Sequence, residues 1–411
     1  MSAAKLRLAF ISPIFLFPAD AGGKIRTGNI LRGLKGGKFH VTLLSPAAPG
    51  QTERFASDIA GISDHYVPWH ALHKPKWRRA FDLLGTLPVN VAADSSATAI
   101  EAVQAAADAD FDLIVFDFVH AAVLLPASLK CACVCFTHNV EAEIFARHAE
   151  TAGHAMMRAL WRSQHAKMLR YEGAALRRFD SVIAVSERDA RMFADYYSVK
   201  RAFPIPTGVD LDFFSWVEPA PIDQDHPPTV VFTGSMDSAA NIGGVRFFIE
   251  SVWPLIRAQR PDTRLLMVGR NPPATLAALA RDGTGIAFTG SVDDVRPYVR
   301  GSHVFVIPLL VGGGTRIKAF EAMAMGCPVV STTLGVEGLD VQEGVHYVRR
   351  DEPGPMAQAI NALLADPAAR LELSRNARGL VEAHFGHAVA AQVFEQICVD
   401  AVRFHQAKSA G

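Results

Sequence analysis

The sequence predicts an α/β protein built from two doubly wound, Rossmann-like domains that face a central cleft. Three observations predict this fold class. Apolar strand-like runs alternate with helical patterns, a segment rich in Pro and Asp interrupts the alternation once, and 411 residues exceed the usual size of one hydrophobic core. Apolar strands joined by helices form parallel sheets covered on both faces. Such sheets bind ligands beyond the carboxyl ends of their strands, so we expect the functional site there.

The first half of the chain supplies six strand-like runs, and the second half supplies five. In chain order they are LRLAFIS, FHVTLLS, FDLIVFD, CACVCFT, DSVIAVS and AFPIP, then TVVFTG, RLLMVG, GIAFTG, HVFVIPL and PVVST. Helical patterns such as KIRTGNILRGL and AIEAVQAAADA lie between them.

The segment TGVDLDFFSWVEPAPIDQDHPP separates the two halves, and it places the domain boundary at residue 206. Residues 1–206 are then one domain and residues 207–387 a second. The helical segment 388–411 either closes the second domain or packs back on the first.

Composition indicates a folded protein without a bias toward polyanionic partners. Lys and Arg balance Asp and Glu at 41 each, which gives no support to nucleic-acid binding. The five cysteines include no CxxC pair, which favours a reducing cytoplasm. Cys131, Cys133 and Cys135 alternate along one strand, so we expect them to pack on one face as small apolar groups.

The beginning of the chain has features of a secretory leader, because Lys5 and Arg7 precede the apolar run LAFISPIFLF. Pro13 interrupts this run, and KLRLAFISP also has the pattern of an opening parallel strand. We therefore expect a strand here. No other apolar run approaches the roughly 20 residues of a membrane span.

The stretch VGGGTRIKAFEAMAMGCPVVST, residues 311–332, puts three glycines between a strand and a helix. Glycines let a ligand approach the backbone, and the first helical amides are unpaired, so this geometry binds phosphate. With Thr315 as the N-cap, Arg316 and Lys318 lie in the first turn, where the helix dipole disfavours cations. A bound anion would compensate for them, and Glu321 could accept hydrogen bonds from sugar hydroxyls. The alternative is a tight turn with solvated side chains.

These residues resemble the donor-binding signature of the retaining glycosyltransferases of family 4, which have the two-domain GT-B architecture and use nucleotide sugars. Further matching motifs are PADAGGKIRTGNILRGL, THNVE, FDSVIAVSERDARMF, TGVD, VVFTGSMDSAAN and FTGSVDDVRPYV. The resemblance thus extends over nearly the whole chain.

The resemblance implies that residues 1–206 form the acceptor-side domain and that residues 207–387 form the donor-side domain with the donor site. The diphosphate would bind to the loop and helix start, Gly313, Gly314, Thr315, Arg316 and Ile317, and the ribose would bind to Glu321. Gly234, Ser235 and Asn241 after a strand would belong to the same site, and Ser291 and Val292 would lie beside the base. A plain strand-to-helix turn accounts almost equally well for Ser291 and Val292.

The chain departs from the family pattern at two places. Gly313 stands where relatives carry the first glutamate of an E-x7-E motif. Ser235 and Ala240 or Asn241 stand where many relatives place an Arg and a Lys that neutralise the diphosphate. We expect Arg316 and Lys318 to supply the missing positive charge.

Three residues of the first domain belong to the same expected site. Gly22 and Gly23 follow the first strand, and the resemblance implies that this loop approaches the donor phosphates and the acceptor. An ordinary turn before a helix containing Arg26 and Asn29 is the alternative. His138, in THN after the strand CACVCFT, resembles the family's histidine beside the donor sugar, although loop histidines are usually surface groups.

The implied function is the transfer of a sugar from a nucleotide-diphosphate donor to an acceptor hydroxyl, with retention at the anomeric carbon, in cell-surface polysaccharide or glycolipid assembly. His138, Arg316 and Lys318 are the catalytic candidates. The alternatives are a non-catalytic nucleotide-sugar-binding protein and a GT-B-like epimerase or hydrolase. We expect no cofactor and no metal, and we interpret the pairs Asp108/Asp110, Asp210/Asp212 and Asp223/Asp225 as incidental.

Two basic stretches bear on a sugar or lipid-linked acceptor. They are HKPKWRRAFDLL, with Lys74, Lys76, Trp77, Arg78, Arg79 and Phe81, and MMRALWRSQHAKMLRYEGAALRR. A solvated helical face is the simpler interpretation. The alternative is contact with an anionic membrane surface, which would make a cytoplasmic protein peripheral to the inner face of the membrane.

Overall fold

The computed structural model describes residues 5–19, 22–71, 82–83, 85–311 and 317–410. The chain divides into two compact units, one made of Met1–Gly208 with His387–Gly411 and the other of Val209–Gly386. In each unit a parallel sheet carries helices, so the predicted fold class is confirmed.

The sheet of the first unit has the strand order β3-β2-β1-β4-β5-β6-β7, and all neighbouring strands are parallel. Its strands are β1 Leu6–Ile11, β2 Phe39–Ala47, β3 His65–His70, β4 Leu113–Asp117, β5 Ala132–Phe136, β6 Ser181–Ala184 and β7 Ala202–Pro204. Its α-helices are α1 Gly22–Leu34, α2 Gln51–Arg54, α3 Ala56–Ile62, α4 Val89–Asp94, α5 Ala97–Asp108, α6 Glu141–Thr151, α7 Ala155–Leu176, α8 Glu187–Tyr197 and, from the end of the chain, α16 His387–Ala410. A 3₁₀ helix, Val119–Leu124, follows β4.

The two faces of this sheet bury separate apolar clusters. Helices α1 and α16 cover one face, where Phe10, Phe136 and Phe394 pack together. Cys131, Cys133 and Cys135 pack into the cluster on the other face, as the alternation predicts. Burial raises the pKa of the Cys133 thiol to about 12, because the thiolate would lose its hydration.

The sheet of the second unit has the order β10-β9-β8-β11-β12-β13, again with parallel neighbours. Its strands are β8 Thr229–Thr233, β9 Arg264–Val268, β10 Ile286–Gly290, β11 Val304–Ile307, β12 Val329–Ser331 and β13 Val348–Arg349. Its α-helices are α9 Ala239–Phe247, α10 Trp253–Gln259, α11 Ala274–Ala277, α12 Arg296–Arg300, α13 Ile317–Ala324, α14 Pro353–Ala365 and α15 Pro367–Leu380. Two π-helical turns, Phe248–Val252 and Val381–Phe385, and a 3₁₀ helix, Leu334–Val336, complete the unit as described.

Several helices begin where side chains replace the missing backbone partners of the first turn. Ser186 accepts a hydrogen bond from the Asp189 amide at 3.1 Å, and Glu187 and Asp189 place negative charge at the start of α8. Asp366 caps α15 by accepting from the Ala369 amide at 3.0 Å, and Pro367 follows it at the first helical position.

Two strands were not predicted, and both lie at sheet edges. β3, HYVPWH, contains Pro68 and alternates weakly between buried and exposed residues, as an edge strand can. β13 has only two residues. In the described part of the chain, no helix is both long enough and apolar enough to cross a bilayer.

Candidate functional site

In the second unit, the carboxyl ends of β8 and β9 meet at two glycines. Gly234 follows β8 and Gly269 follows β9. A Cβ atom on Gly269 would lie only 2.0 Å from the Gly234 carbonyl oxygen. Glycine at position 269 therefore allows the two backbones to come this close. The space beside this edge is occupied by a cation.

The cation is Lys318 of α13. Its Nζ donates a hydrogen bond to Asn241 Oδ1 at 3.2 Å and lies 4.4 Å from the centroid of the Phe232 ring. A Cβ atom on Gly234 would lie 2.8 Å from this Nζ. Asn241 Nδ2 in turn donates to the Ser235 carbonyl at 2.7 Å, which fixes the amide orientation. Gly234, Asn241 and Lys318, which the sequence placed in one site, thus lie together.

A second cation, Arg270, reaches the same edge from the loop after β9. Its Nε donates to Asp237 Oδ2 at 2.9 Å and to Ser235 Oγ at 3.3 Å. Asp237 also accepts from Ser235 Oγ and from Asn271 Nδ2, and these hydrogen bonds, with the charge of Arg270, lower the pKa of its carboxyl. Ser235 and Asn241 are therefore each contacted by a cation from another element.

Glu321 lies one helical turn after Lys318. Burial raises the pKa of its carboxyl to about 7, and the nearby charge of Lys318 opposes that rise. None of the groups in the described ranges donates a hydrogen bond to its carboxylate. This carboxylate can therefore accept hydrogen bonds from a ligand.

The other residues expected at this site include some that the structure describes and some that it does not. Gly313, Gly314, Thr315 and Arg316 lie outside the described residues, and Ile317 is the first residue of α13. Ser291 is exposed and Val292 half-buried, directly after β10. Their positions are those of a strand-to-helix turn at the carboxyl end of the sheet, and no described contact assigns them a role.

In the first unit, a buried carboxylate organises the carboxyl edge of the sheet. Asp117, the last residue of β4, is fully buried and accepts hydrogen bonds from three side chains. They are His138 Nε2 at 2.7 Å, Thr27 Oγ1 at 3.0 Å and Ser12 Oγ at 3.1 Å. A buried carboxylate is tolerated when it is hydrogen-bonded in this way.

His138 is thereby held by one ring nitrogen. Burial lowers the pKa of this imidazole, and the carboxylate of Asp117 only partly offsets that effect, so the neutral ring is favoured. With Nε2–H donating to Asp117, Nδ1 carries the lone pair. Nδ1 is buried and has no hydrogen-bond partner among the described residues. It can accept a hydrogen bond from a ligand hydroxyl.

Gly22 and Gly23 form the first turn of α1, whereas the sequence placed them in a loop before the helix. The loop prediction was wrong because the helix begins at Gly22. A Cβ atom on Gly23 would lie 2.8 Å from the ring of Phe118 and 3.9 Å from His138 Nδ1, so glycine allows close packing here. Nothing described lies within 4 Å of a Cβ atom on Gly22.

Arg26, one turn further along α1, adds a positive charge to this edge. Burial lowers the pKa of its guanidinium to about 10, while Asp189 stabilises the charge. Its Nη2 is buried without a hydrogen-bond partner among the described residues. This charge is one reason why the pKa of His138 is lowered.

Two of the three Asp-x-Asp strings have structural roles. Asp210 Oδ1 accepts from the amides of Asp212 and Phe213, and Asp223 Oδ1 accepts from those of Asp225 and His226. Both are side-chain turns of the kind that Asp commonly forms. Within the described ranges, no group of three or more His, Cys, Asp or Glu is arranged to hold a metal ion.

Sequence reasoning missed Asp117, Thr27, Phe118 and Arg270. Asp117 could have been found, because it ends the strand FDLIVFD next to the strand that delivers His138. Thr27 carries no comparable signal, since it is 90 residues from Asp117. Arg270 is the second residue after the strand RLLMV, a position that parallels Ser235 after β8.

Two family models match the chain in succession. Residues 21–213 match the model described as Glycosyltransferase Family 4, and residues 227–366 match the one described as Glycosyl transferases group 1. The chain is a family-4-like glycosyltransferase. The two matches lie in the two units of this glycosyltransferase, and the recognition made from its motifs is confirmed.

A curated relative is the phosphatidyl-myo-inositol mannosyltransferase of Mycolicibacterium smegmatis. It is 30% identical to this glycosyltransferase over 200 residues, which are 47% of this chain and 50% of the relative. The chain spans about half the length of the curated relatives it matches, from 43% to 51%.

Solved structures share the GT-B fold over nearly the whole chain. Sucrose-phosphate synthase from Thermosynechococcus elongatus matches 99% of this chain and 100% of its own, with a TM-score of 0.66 and 20% identity. HepE of Anabaena, solved in complex with UDP and glucose, matches 95% of this chain and 98% of its own, with a TM-score of 0.61 and 15% identity. At these identities the likeness concerns the fold.

Proposed function

We propose that this glycosyltransferase moves a sugar from a nucleotide-diphosphate donor to an acceptor hydroxyl in glycan or glycolipid assembly. The observation that carries the proposal is the position of Lys318, whose ammonium lies against Gly234 and Asn241 at the carboxyl edge of the second sheet. An ammonium next to exposed backbone binds phosphate by charge-assisted hydrogen bonds. The Anabaena structure with UDP and glucose and the mannosyltransferase relative support the same class of reaction.

The diphosphate gains negative charge as the bond to the sugar breaks. Lys318 and Arg316 are the proposed groups that stabilise this charge, because preorganised donors lower the energy of a developing anion. Arg270 adds to them in this proposal, since it contacts Ser235 at the same edge. These cations supply what a metal ion provides in other sugar transferases, so we propose metal-independent chemistry without a cofactor.

His138 is the proposed contact to the donor sugar from the first unit. Its neutral ring, held by Asp117, presents Nδ1 as an acceptor for a sugar hydroxyl. Gly313 replaces the glutamate that could act as a nucleophile, so we propose retention by front-face departure and attack, in which the leaving phosphate takes the acceptor proton. A trapped covalent glycosyl-enzyme would contradict this mechanism.

We also propose that the first unit contacts an anionic membrane that carries the acceptor. Met156 is 80% exposed at the start of α7, and Arg158 and Arg162 are exposed in the first two turns of the same helix. Cations next to exposed apolar side chains suit such a surface. The other basic stretch, with Lys74, Lys76, Trp77, Arg78, Arg79 and Phe81, lies outside the described residues. Equal flotation with phosphatidylglycerol and phosphatidylcholine vesicles would contradict this part of the proposal.

The experiment is a thermal-shift screen with UDP-, GDP-, ADP- and dTDP-sugars, followed by turnover assays with and without an acceptor panel. We expect one nucleotide class to stabilise the protein and to support transfer. Reaction without any acceptor would favour an epimerase or hydrolase. Donor binding without turnover over a broad panel would favour a non-catalytic nucleotide-sugar-binding protein.

A further inference from the structure

A second carboxylate–histidine pair lies beside the Asp117–His138 pair in the first unit. His120, in the 3₁₀ helix after β4, is hydrogen-bonded through Nδ1 to Asp94, the last residue of α4. Their side chains are only 16% and 17% exposed. The Tyr171 hydroxyl donates to the His120 carbonyl at 3.3 Å and helps to fix the backbone. No motif of the sequence pointed to this pair.

Phe118 separates the two pairs. Its ring stacks on His138 with centroids 4.1 Å apart and on His120 with centroids 5.1 Å apart. Both imidazoles therefore pack against the same phenyl ring. Phe118 has a φ of 65°, a left-handed conformation that a bulky residue adopts only where its surroundings impose it. Phe118 thus links the two histidines through ring contacts.

The free nitrogen of His120 is available to a ligand. Nε2 has no hydrogen-bond partner among the residues that the structure describes, and it is not sealed from solvent. Burial alone would lower the pKa of this ring, but Asp94, with smaller contributions from Glu141 and Asp117, raises it overall. This shift favours the doubly protonated ring, in which Nε2–H donates, more than in an unperturbed histidine.

Glu141, the first residue of α6, places an acceptor near this donor. Its side chain is hydrogen-bonded to Asn139, and its charge interacts with that of His120. Two backbone hydrogen bonds to the buried carboxylate of Glu172 fix the start of α6, from the Glu141 amide at 2.8 Å and the Ala142 amide at 3.1 Å. A hydroxyl group both donates and accepts, so a histidine and a carboxylate close enough for their charges to interact suit it.

We propose that Asp94, His120 and Glu141 form the acceptor subsite and that it takes a hydroxyl-rich ring, either a sugar or a cyclitol headgroup. The subsite rests on the proposed function, because only a sugar transfer needs a second hydroxyl beside His138. His120 Nε2 donates to a ring hydroxyl, and Glu141 accepts from it or from a neighbouring one. Phe118 sets the spacing between this ring and the group bound at His138.

The test is saturation-transfer-difference NMR with two probes, methyl α-D-mannopyranoside and myo-inositol, on the full-length protein. We expect wild type to bind at least one probe. We expect His120→Gln and Asp94→Asn each to weaken that binding at least fivefold with unchanged UDP and GDP thermal shifts. The matched control is His40→Gln, because His40 pairs with Asp64 at 3.6 Å at the amino end of β2 and is half-exposed. We expect it to bind like wild type.

The outcomes distinguish this subsite from the proposed function. Preference for the mannoside indicates a sugar acceptor, and preference for inositol indicates a cyclitol headgroup. Both support the subsite. Wild-type affinity in the His120→Gln and Asp94→Asn variants, or no binding of either probe by wild type, overturns it. If neither UDP nor GDP shifts the melting temperature of wild type, the proposed function is overturned instead, since that measurement does not involve His120.

Discussion

The two sheet edges of this glycosyltransferase differ in how they manage charge. At the first edge a buried carboxylate, Asp117, holds a neutral histidine, and its three donors are side chains of the protein. At the second edge two partly exposed cations have different partners: Lys318 donates to the neutral amide of Asn241, and Arg270 pairs with the carboxylate of Asp237. The first arrangement suits hydroxyl groups, whose recognition depends on direction. The second suits a diphosphate, whose recognition depends on charge.

The comparison separates structural from ligand-binding effects. Substitutions that remove hydrogen bonds at the first edge should lower folding stability, because the polar groups there bind one another in the interior. Substitutions of the cations at the second edge should lower ligand affinity with little effect on stability, because these cations are partly solvated and their expected partner is the ligand.

The largest effect is expected for Asp117→Ala. It leaves the buried donors of His138, Thr27 and Ser12 without their acceptor, and we expect the free energy of unfolding to fall by about 3–5 kcal/mol. Chemical denaturation measures it. The conservative variant Asp117→Asn should recover part of the stability but still lower kcat, since it changes which nitrogen of His138 is protonated.

A matched control for Asp117 exists at the opposite edge of the same sheet. Asp180 accepts from His405 Nδ1 at 3.0 Å and from the Cys133 amide at 3.0 Å. We expect Asp180→Asn to destabilise the protein without changing kcat per folded molecule. An equal loss of kcat in both Asn variants would mean that Asp117 acts only through stability.

The next effect is expected for Lys318→Ala. Loss of a hydrogen bond between charged groups costs about 1.5–3 kcal/mol, so we expect nucleotide-sugar affinity to fall about 10- to 100-fold with little change in unfolding free energy. Isothermal titration calorimetry measures the affinity. Arg264→Ala is the control, because Arg264 is exposed at the amino end of β9. If Lys318→Ala binds as tightly as the control, the second edge is not the phosphate site.

A smaller effect is expected from the titration of Glu321. Its carboxyl has a pKa of about 7 in the folded protein against 4.5 in the unfolded chain, so folding favours the protonated form. The stability that this provides is present below pH 4.5 and is lost as the pH rises through about 7. We therefore expect Glu321→Gln to raise Tm relative to wild type more at pH 8 than at pH 5. The exposed Glu337→Gln variant should show no such difference, and identical pH profiles for both variants would contradict the burial of Glu321.

The smallest effect is expected for Arg270→Ala. Arg270 is largely exposed and already paired with Asp237, and exposed ion pairs contribute about 0–1 kcal/mol. We expect nucleotide affinity to fall less than about fivefold. A loss as large as that of Lys318→Ala would mean that Arg270, rather than Lys318, is the main phosphate ligand.

The sequence predicted the sheets well because buried parallel strands are continuous apolar runs. It placed Lys318 in the first turn of a helix, as in α13, because the glycines and Thr315 have the pattern of a helix start. The prediction of Gly22 and Gly23 as a loop failed, since glycines allow either a loop or a helix start. The Asp117 network could not be derived in full, because Ser12 reaches it from the loop after β1 and Thr27 from α1, about 100 residues earlier in the chain. Pairings of this kind depend on strand order, which local patterns do not encode.

The central claim is that Lys318 and the backbone around Gly234 hold the diphosphate of the donor. A crystal structure of the protein soaked with UDP, and separately with GDP, tests it most directly. The account predicts diphosphate oxygens about 2.7–2.9 Å from Lys318 Nζ, with the ammonium moved away from Asn241 Oδ1. Nucleotide density away from α13, with the Lys318–Asn241 hydrogen bond intact, would contradict it.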